Sequence, residues 1–138
     1  MLFRSYLDGE TAAIVEDVMA KFEAMQPAAI DLLQLRSTMI SFLGSPEVSE
    51  LFSRAPDRSV LREQEFSASN GTLYRMDRVV VDPDEVTVVD FKTGGKEQGE
   101  IYHKQVETYL ELLRDVYPGR RLKGVLAYVD QCVLERVR

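Results

Sequence analysis

The chain has 138 residues, 45% hydrophobic and 29% charged, the size and composition of about one globular domain with a single core, which excludes collagen-like and disordered chains. Its formal net charge of -6 gives no global attraction to nucleic-acid phosphates. A lone cysteine, Cys132, excludes an internal disulfide, no run approaches the ~20 apolar residues of a membrane span, and no basic-then-apolar leader is visible; the expectation is a cytoplasmic protein that uses no membrane.

From Asp8, a candidate N-cap, apolar residues recur at helical spacing (Ile14, Val15, Val18, Met19, Phe22, Met25) until Pro27 ends the run. A second helix is predicted from Ala28 to Leu43, closed by Gly44, and a third over "SPEVSELFS", with Ser45 as cap and Pro46 at the first helical position. At "APDRS" the pattern changes. "VLREQEFSAS", "TLYRMDRVVV" and "EVTVVDFKT" read as strands, the first two joined at Asn70-Gly71, a strong hairpin signal. Gly94, Gly95 and Gly99 loosen the next connection, and an amphipathic helix follows from Glu100 to Tyr117, closed by Pro118-Gly119. "LKGVLAYVD" and "CVLERV" are strands again. This order predicts an α/β (α+β) fold, with a mixed sheet built on a three-stranded meander and flanked by helices. One domain is expected over 1–138, with a helical part at 1–55 and a core part at 60–138.

The chemistry concentrates at the second hairpin. If "DPDE" turns through a loop of two or four residues, Val81 faces Val86 and Asp77 faces Asp90. Facing residues of antiparallel strands hold their Cβ atoms about 4.5–5.5 Å apart on one side of the sheet, and Lys92 shares that side because strand side chains alternate. A three-residue loop would place Asp90 opposite Met76 or Arg78 instead. Two carboxylates so close repel unless a positive charge lies between them. A Mg²⁺ ion prefers oxygen ligands and keeps positions for water and phosphate, while a neighbouring lysine could orient or help deprotonate a metal-bound water or stabilise phosphate charge in the transition state, so the set suits phosphodiester hydrolysis. Spacing alone favours a plainer reading, a solvated face on which Asp77 and Asp90 pair with Arg75, Arg78 and Lys92 at almost no net energy. Against it, Asp is disfavoured within strands and here ends a buried-looking run, "VTVV".

On the following helix, Tyr102, Val106, Tyr109, Leu110, Leu113 and Val116 form an apolar stripe into which Gln105 intrudes, one turn from Tyr109. A buried amide and phenol need hydrogen-bond partners, in the main chain, in each other or in a nucleic-acid strand. A helix packed on the sheet with Gln105 at its border serves equally well. Positive charge is grouped locally, at Arg75 and Arg78, at Lys92 and Lys96, and at Arg120, Arg121 and Lys123.

Asp77 in "RMDR", the Asp of "VVDFKTG" and then "QVETY" together resemble the PD-(D/E)XK nuclease superfamily in its RecB-like branch. That pattern has an Asp after Gly-x-x, an Asp-x-Lys on the next strand and a Gln-x-x-x-Tyr on the next helix. The resemblance covers Arg62 to Asp130, and "YPGRRLKGVLAYVD" looks like the closing segment of AddA-type helicase-nucleases, whose nuclease domain ends a UvrD-like helicase chain. It implies a restriction-endonuclease-like core. Asp77 and Asp90 become ligands of Mg²⁺ or Mn²⁺, the carbonyl of Phe91 a third, and Lys92 the catalytic lysine. Gln105 and Tyr109 support the site or contact DNA, and Glu65 in "REQEF" matches a recurrent acidic position. The implied partners are DNA ends, the rest of a parent helicase chain, where alone ATP would act, and a second helicase-nuclease subunit.

Two departures stand out. Tyr74 occupies the usual Gly position. The branch also draws a histidine ligand from an N-terminal helix, whereas the one histidine here is His103, which lies off the apolar stripe of the later helix and reads as a surface residue. The expectation is therefore either a piece of a longer helicase-nuclease that starts downstream of that helix, or a catalytically inactive nuclease-like module serving DNA guidance or subunit assembly.

Overall fold

The computed structural model describes residues 9–25, 31–94 and 96–137. They fall into two units, Met1–Arg54 with Val129–Cys132, and Ala55–Tyr128 with Val133–Arg138.

The first unit contains α1 (Gly9–Met25), α2 (Leu32–Leu43) and α3 (Pro46–Phe52). Ile14, Val15, Val18 and Phe22 of α1 are buried, as are Leu35, Met39, Phe42 and Leu43 of α2. Each set is one helical face, the pattern a 3.6-residue period imposes on a helix with one side in a core. Arg36 pairs with Glu16 at 2.9 Å. Asp31 is not in a helix interior, as the sequence suggested, but is the extended N-cap of α2, its carboxylate accepting the Gln34 N–H at 3.1 Å. Asp8, Pro27 and the predicted helix start at Ala28 lie outside the described residues. Ser45 occupies the N-cap position of α3 without capping it; its hydroxyl donates to the Phe42 carbonyl at 3.0 Å and so serves the end of α2.

The second unit is one five-stranded sheet in the order β1-β2-β3-β4-β5, made of β1 (Ser59–Ser67), β2 (Leu73–Val81), β3 (Glu85–Lys92), β4 (Arg121–Tyr128) and β5 (Val133–Val137), with α4 (Gly99–Val116) between β3 and β4. β1, β2 and β3 form the expected antiparallel meander. β4 runs parallel to β3, which requires a crossover that α4 supplies, and β5 returns antiparallel to β4. The sheet is therefore mixed, as predicted.

Both hairpins follow from turn chemistry. Between β1 and β2, Ala68 N–H donates to the Thr72 carbonyl at 2.8 Å and Gly71 N–H to the Ala68 carbonyl at 2.9 Å, a tight turn followed by Gly71 at φ +88, where glycine carries no steric penalty. Between β2 and β3, Asp82 N–H donates to the Glu85 carbonyl at 2.8 Å, and Val81 pairs with Val86, the register that an even-numbered loop demands. Arg58 grips the Asp82 carboxylate with Nε at 2.8 Å and Nη2 at 3.1 Å. Arg120 donates to the Asp82 carbonyl at 3.2 Å and Arg121 to the Asp84 carboxylate at 3.1 Å.

β3 is buried on both faces. Val86 and Val88 are buried on the α4 side, and Thr87 and Val89 on the other, which is why the strand reads as an almost unbroken apolar run. Val106, Tyr109, Leu110 and Leu113 of α4 pack with Val79, Val88 and Leu126 in one core cluster. Val116, read as part of the stripe, is instead 50% exposed at the helix end. Gly124 of β4 lies directly under α4: a Cβ there would stand 2.5 Å from Val106 Cγ1 and 3.0 Å from the Val137 carbonyl oxygen. Among the described residues, no helix is long and apolar enough to cross a membrane.

Candidate active site

The sheet opens at Asp77. The β2–β3 ladder runs from Val81–Val86 to Arg78–Val89 and stops; Asp77 and Asp90 are the next positions in the same register. Counting from Asp82–Glu85, alternate residues of β3 turn their main-chain groups toward β2, so the N–H of Phe91 would next meet the Met76 carbonyl. It donates to Asp77 Oδ2 instead, at 2.9 Å. The β1–β2 ladder is broken at the same level: its pairs pass from Arg62–Arg78 to Gln64–Met76 and skip Glu63 and Asp77. Glu63 has φ 49, the left-handed region that a non-glycine residue enters at a steric cost. Asp77 therefore stands in a notch where the strands part, with its carboxylate replacing a main-chain acceptor. In such a strand N–H and C=O of one residue face the same neighbour, so the Phe91 carbonyl is directed to the same notch.

Asp90 is 2% exposed. Lys92 Nζ lies 2.8 Å from its Oδ2, in a direction that makes the contact an ion pair rather than an aligned hydrogen bond. From the ammonium runs a directional chain: Lys92 Nζ donates to Gln105 Oε1 at 2.9 Å, Gln105 Nε2 donates to the Tyr109 hydroxyl at 2.9 Å, and that hydroxyl donates to the Arg75 carbonyl at 3.4 Å. The amide thus uses both of its ends. Burial, then the charges of Asp90 and Asp77, push the Tyr109 phenol up to about 12, against a smaller lowering by the Gln105 hydrogen bond; the phenol feels both carboxylates and stays neutral at physiological pH. The Lys92 ammonium also lies over the Tyr102 ring, 4.4 Å from its centroid. Tyr128, buried beside it, has its phenol held above the usual tyrosine range by desolvation and then by Glu135 and Tyr102.

Five of the sequence-predicted residues, Asp77, Asp90, Lys92, Gln105 and Tyr109, are thus brought together with the main chain of Phe91. Glu65 is not joined to them; it is exposed on β1 opposite Arg75. The carboxylate that meets Arg75 is that of Glu63, at 3.3 Å, and Glu63 is the acid passed over together with Asp77 in the β1–β2 ladder. Sequence offered two glutamates in "REQEF" and no signal for the backbone turn that separates them. Tyr102 was read as part of an apolar stripe, although its place one turn before Gln105 puts it on the lysine's side of the helix. Tyr74, at the glycine position, packs edge-on to Tyr109 with ring centroids 6.3 Å apart.

The remaining candidates change character. His103 is not a bare surface residue: its Nε2 lies 2.8 Å from Glu135 Oε1, both about a third exposed, tying α4 to β5. Part of the basic groups is engaged within the chain, Arg120 and Arg121 at the β2–β3 turn and Lys92 at Asp90, while Arg78 is 2% exposed on the face opposite Asp77.

A family model described as the PD-(D/E)XK nuclease superfamily matches residues 8–136, and the chain belongs to that superfamily, whose members are mostly metal-dependent nucleases. The mixed sheet is consistent with its restriction-endonuclease-like fold. No curated protein matches the chain. The donor set fits a hard divalent cation: two carboxylates and a main-chain carbonyl directed to one notch are all oxygen ligands, and a protein commonly gives Mg²⁺ only one or two carboxylates. Among the described residues no group of three or more His, Cys, Asp and Glu side chains is gathered to hold a metal.

Proposed function

We propose that this chain is the nuclease domain of a RecB/AddA-like helicase-nuclease, a Mg²⁺- or Mn²⁺-dependent deoxyribonuclease acting as an exonuclease on DNA ends in double-strand-break repair and recombination. The observation that carries this reading is the notch itself, where Asp77 and Asp90 stand in register at the point where two ladders break, with Lys92 against one of them. Asp77 and Asp90, with the Phe91 carbonyl, hold the cation. When bound, the cation neutralises charge on the scissile phosphate. Lys92 adds fixed positive charge for the phosphate in the transition state, and Gln105 and Tyr109 keep that lysine in place and fill the space between α4 and the parted strands. The parent chain supplies ATP-driven unwinding and docking to a second helicase-nuclease subunit, in the cytoplasm.

One observation favours a second reading, a silent nuclease-like module for DNA guidance or subunit assembly. The single histidine is engaged with Glu135 and is no ligand at the notch. Linear DNA incubated with Mg²⁺ or Mn²⁺ separates the two. The nuclease reading expects metal-dependent shortening by wild type and none by Asp90→Ala. If this chain and a longer stretch carrying an upstream histidine helix both leave DNA intact while binding it, the silent module replaces the nuclease.

A further inference from the structure

Lys92 is held from three directions. Its ammonium is 2.8 Å from Asp90 Oδ2, 2.9 Å from Gln105 Oε1 and 4.4 Å from the centroid of the Tyr102 ring. Both polar holders are shared, because Asp90 is a proposed cation ligand and the Gln105 amide also serves Tyr109. The ring is not shared in this way. Tyr102 stands one turn before Gln105 on α4, so both reach the same side of the helix. Its ring is set against Tyr128, with centroids 6.5 Å apart and planes at 51°, and Tyr128 is itself the register partner of Lys92 between β3 and β4. The lysine stem therefore leaves the sheet beside one tyrosine and ends over the face of another.

We propose that Tyr102 is a positioning residue: the negative face of its ring holds the Lys92 ammonium in the corner made by Asp90 and Gln105, at the place where a phosphate enters. The proposal rests on the nuclease reading for its catalytic consequence and on geometry for the contact. A lysine stem has four rotatable carbons and a strongly hydrated head, and the Lys92 side chain is 14% exposed, so water competes for the ammonium. An aromatic face attracts a cation through the ring quadrupole and offers no hydrogen bond that would draw it off line. A cation at Asp90 would weaken the Lys92–Asp90 attraction and Gln105 is neutral, so of the three holders the ring is the one whose pull on positive charge would be kept.

The test uses the full chain in three versions, Tyr102→Phe, Tyr102→Leu, and a chain with pentafluorophenylalanine at position 102, whose ring keeps its shape while its negative face is abolished. With linear DNA and Mn²⁺, Tyr102→Phe keeps wild-type kcat within about twofold. Tyr102→Leu and the fluorinated chain lose about tenfold in kcat with KM unchanged, the scale of one cation–π contact. The Lys92 ε-CH2 protons are displaced upfield by the ring in wild type and Tyr102→Phe and return to the ordinary lysine position in Tyr102→Leu. A fluorinated chain with wild-type kcat, or wild-type ε-protons at the ordinary position, overturns the proposal. If neither wild type nor a longer stretch carrying an upstream histidine helix cuts DNA while the ε-proton pattern holds, the nuclease reading falls and the placement of Lys92 by Tyr102 stands. Should Tyr102→Leu fail to fold, the fluorinated chain carries the comparison.

Discussion

Asp77 and Phe91 are joined by a hydrogen bond that substitutes for a rung of the sheet: a side-chain carboxylate takes, at 2.9 Å, the N–H that a main-chain carbonyl would take in an unbroken ladder. The same carboxylate is thereby both a structural acceptor and a proposed ligand, and the two roles separate by substitution. Asp77→Asn keeps an oxygen for Phe91 and loses less than about 1 kcal/mol, whereas Asp77→Ala leaves a partly buried N–H without its acceptor and loses about 1–3 kcal/mol. Urea unfolding midpoints measure the difference. Under the proposed function both variants lose DNA cutting, so activity and stability part company in the asparagine variant.

Lys92 and Asp90 form a pair with little access to water. Removing one charge strands the other, and Lys92→Met is expected to cost about 3 kcal/mol, the low end for breaking a buried pair because Lys92 retains some water contact. Removing both charges with Lys92→Met/Asp90→Asn restores most of that loss. A double-mutant cycle in urea reads the coupling; strict additivity of the two single losses would show that the pair is not energetically joined.

The phenol of Tyr109 gives a pH signature. Its proton is lost near 10 in the unfolded chain and near about 12 in the folded one. Between these values the unfolded state has released a proton that the folded state keeps, so stability falls as pH rises through that window and is fully present below it. Tyr109→Phe removes this contribution. Unfolding midpoints from pH 9 to 12 should decline more steeply for wild type than for Tyr109→Phe.

Two arginines serve the β2–β3 turn with unequal effect. Arg58 holds Asp82 through two bonds with side chains 16% and 20% exposed, while Arg121 and Asp84 are 70% and 72% exposed. Arg58→Ala is expected to cost about 1.5–3 kcal/mol, as for hydrogen bonds to a charged group, and Arg121→Ala under about 1 kcal/mol, as for an exposed pair. Thermal unfolding of the two variants orders them directly, and equal losses would contradict this account of the turn.

What could be read from sequence was local. The parity of the "DPDE" loop sets Val81 against Val86 and so puts Asp77 and Asp90 at one level of the sheet, and the Val run of β3 announces a strand buried on both faces. Positions that depend on a partner far along the chain were not legible. His103 meets Glu135 across 32 residues, and Arg58 meets Asp82 across 24. Some basic residues that look available to DNA in a linear reading are engaged by the chain itself, Lys92 by Asp90, Arg121 by Asp84 and Arg120 by the Asp82 carbonyl. The break at Glu63 is a backbone event in a residue type that does not advertise left-handed φ, so nothing in "REQEF" marks it.

Gly124 is the seat of α4 on the sheet. A side chain there would meet Val106 Cγ1, the Val137 carbonyl oxygen and Leu110 Cδ1, so the helix that carries Gln105 and Tyr109 rests on β4 where that strand presents bare main chain. The platform from which the amide and the phenol act is thus fitted to its sheet at a position that carries no chemistry of its own.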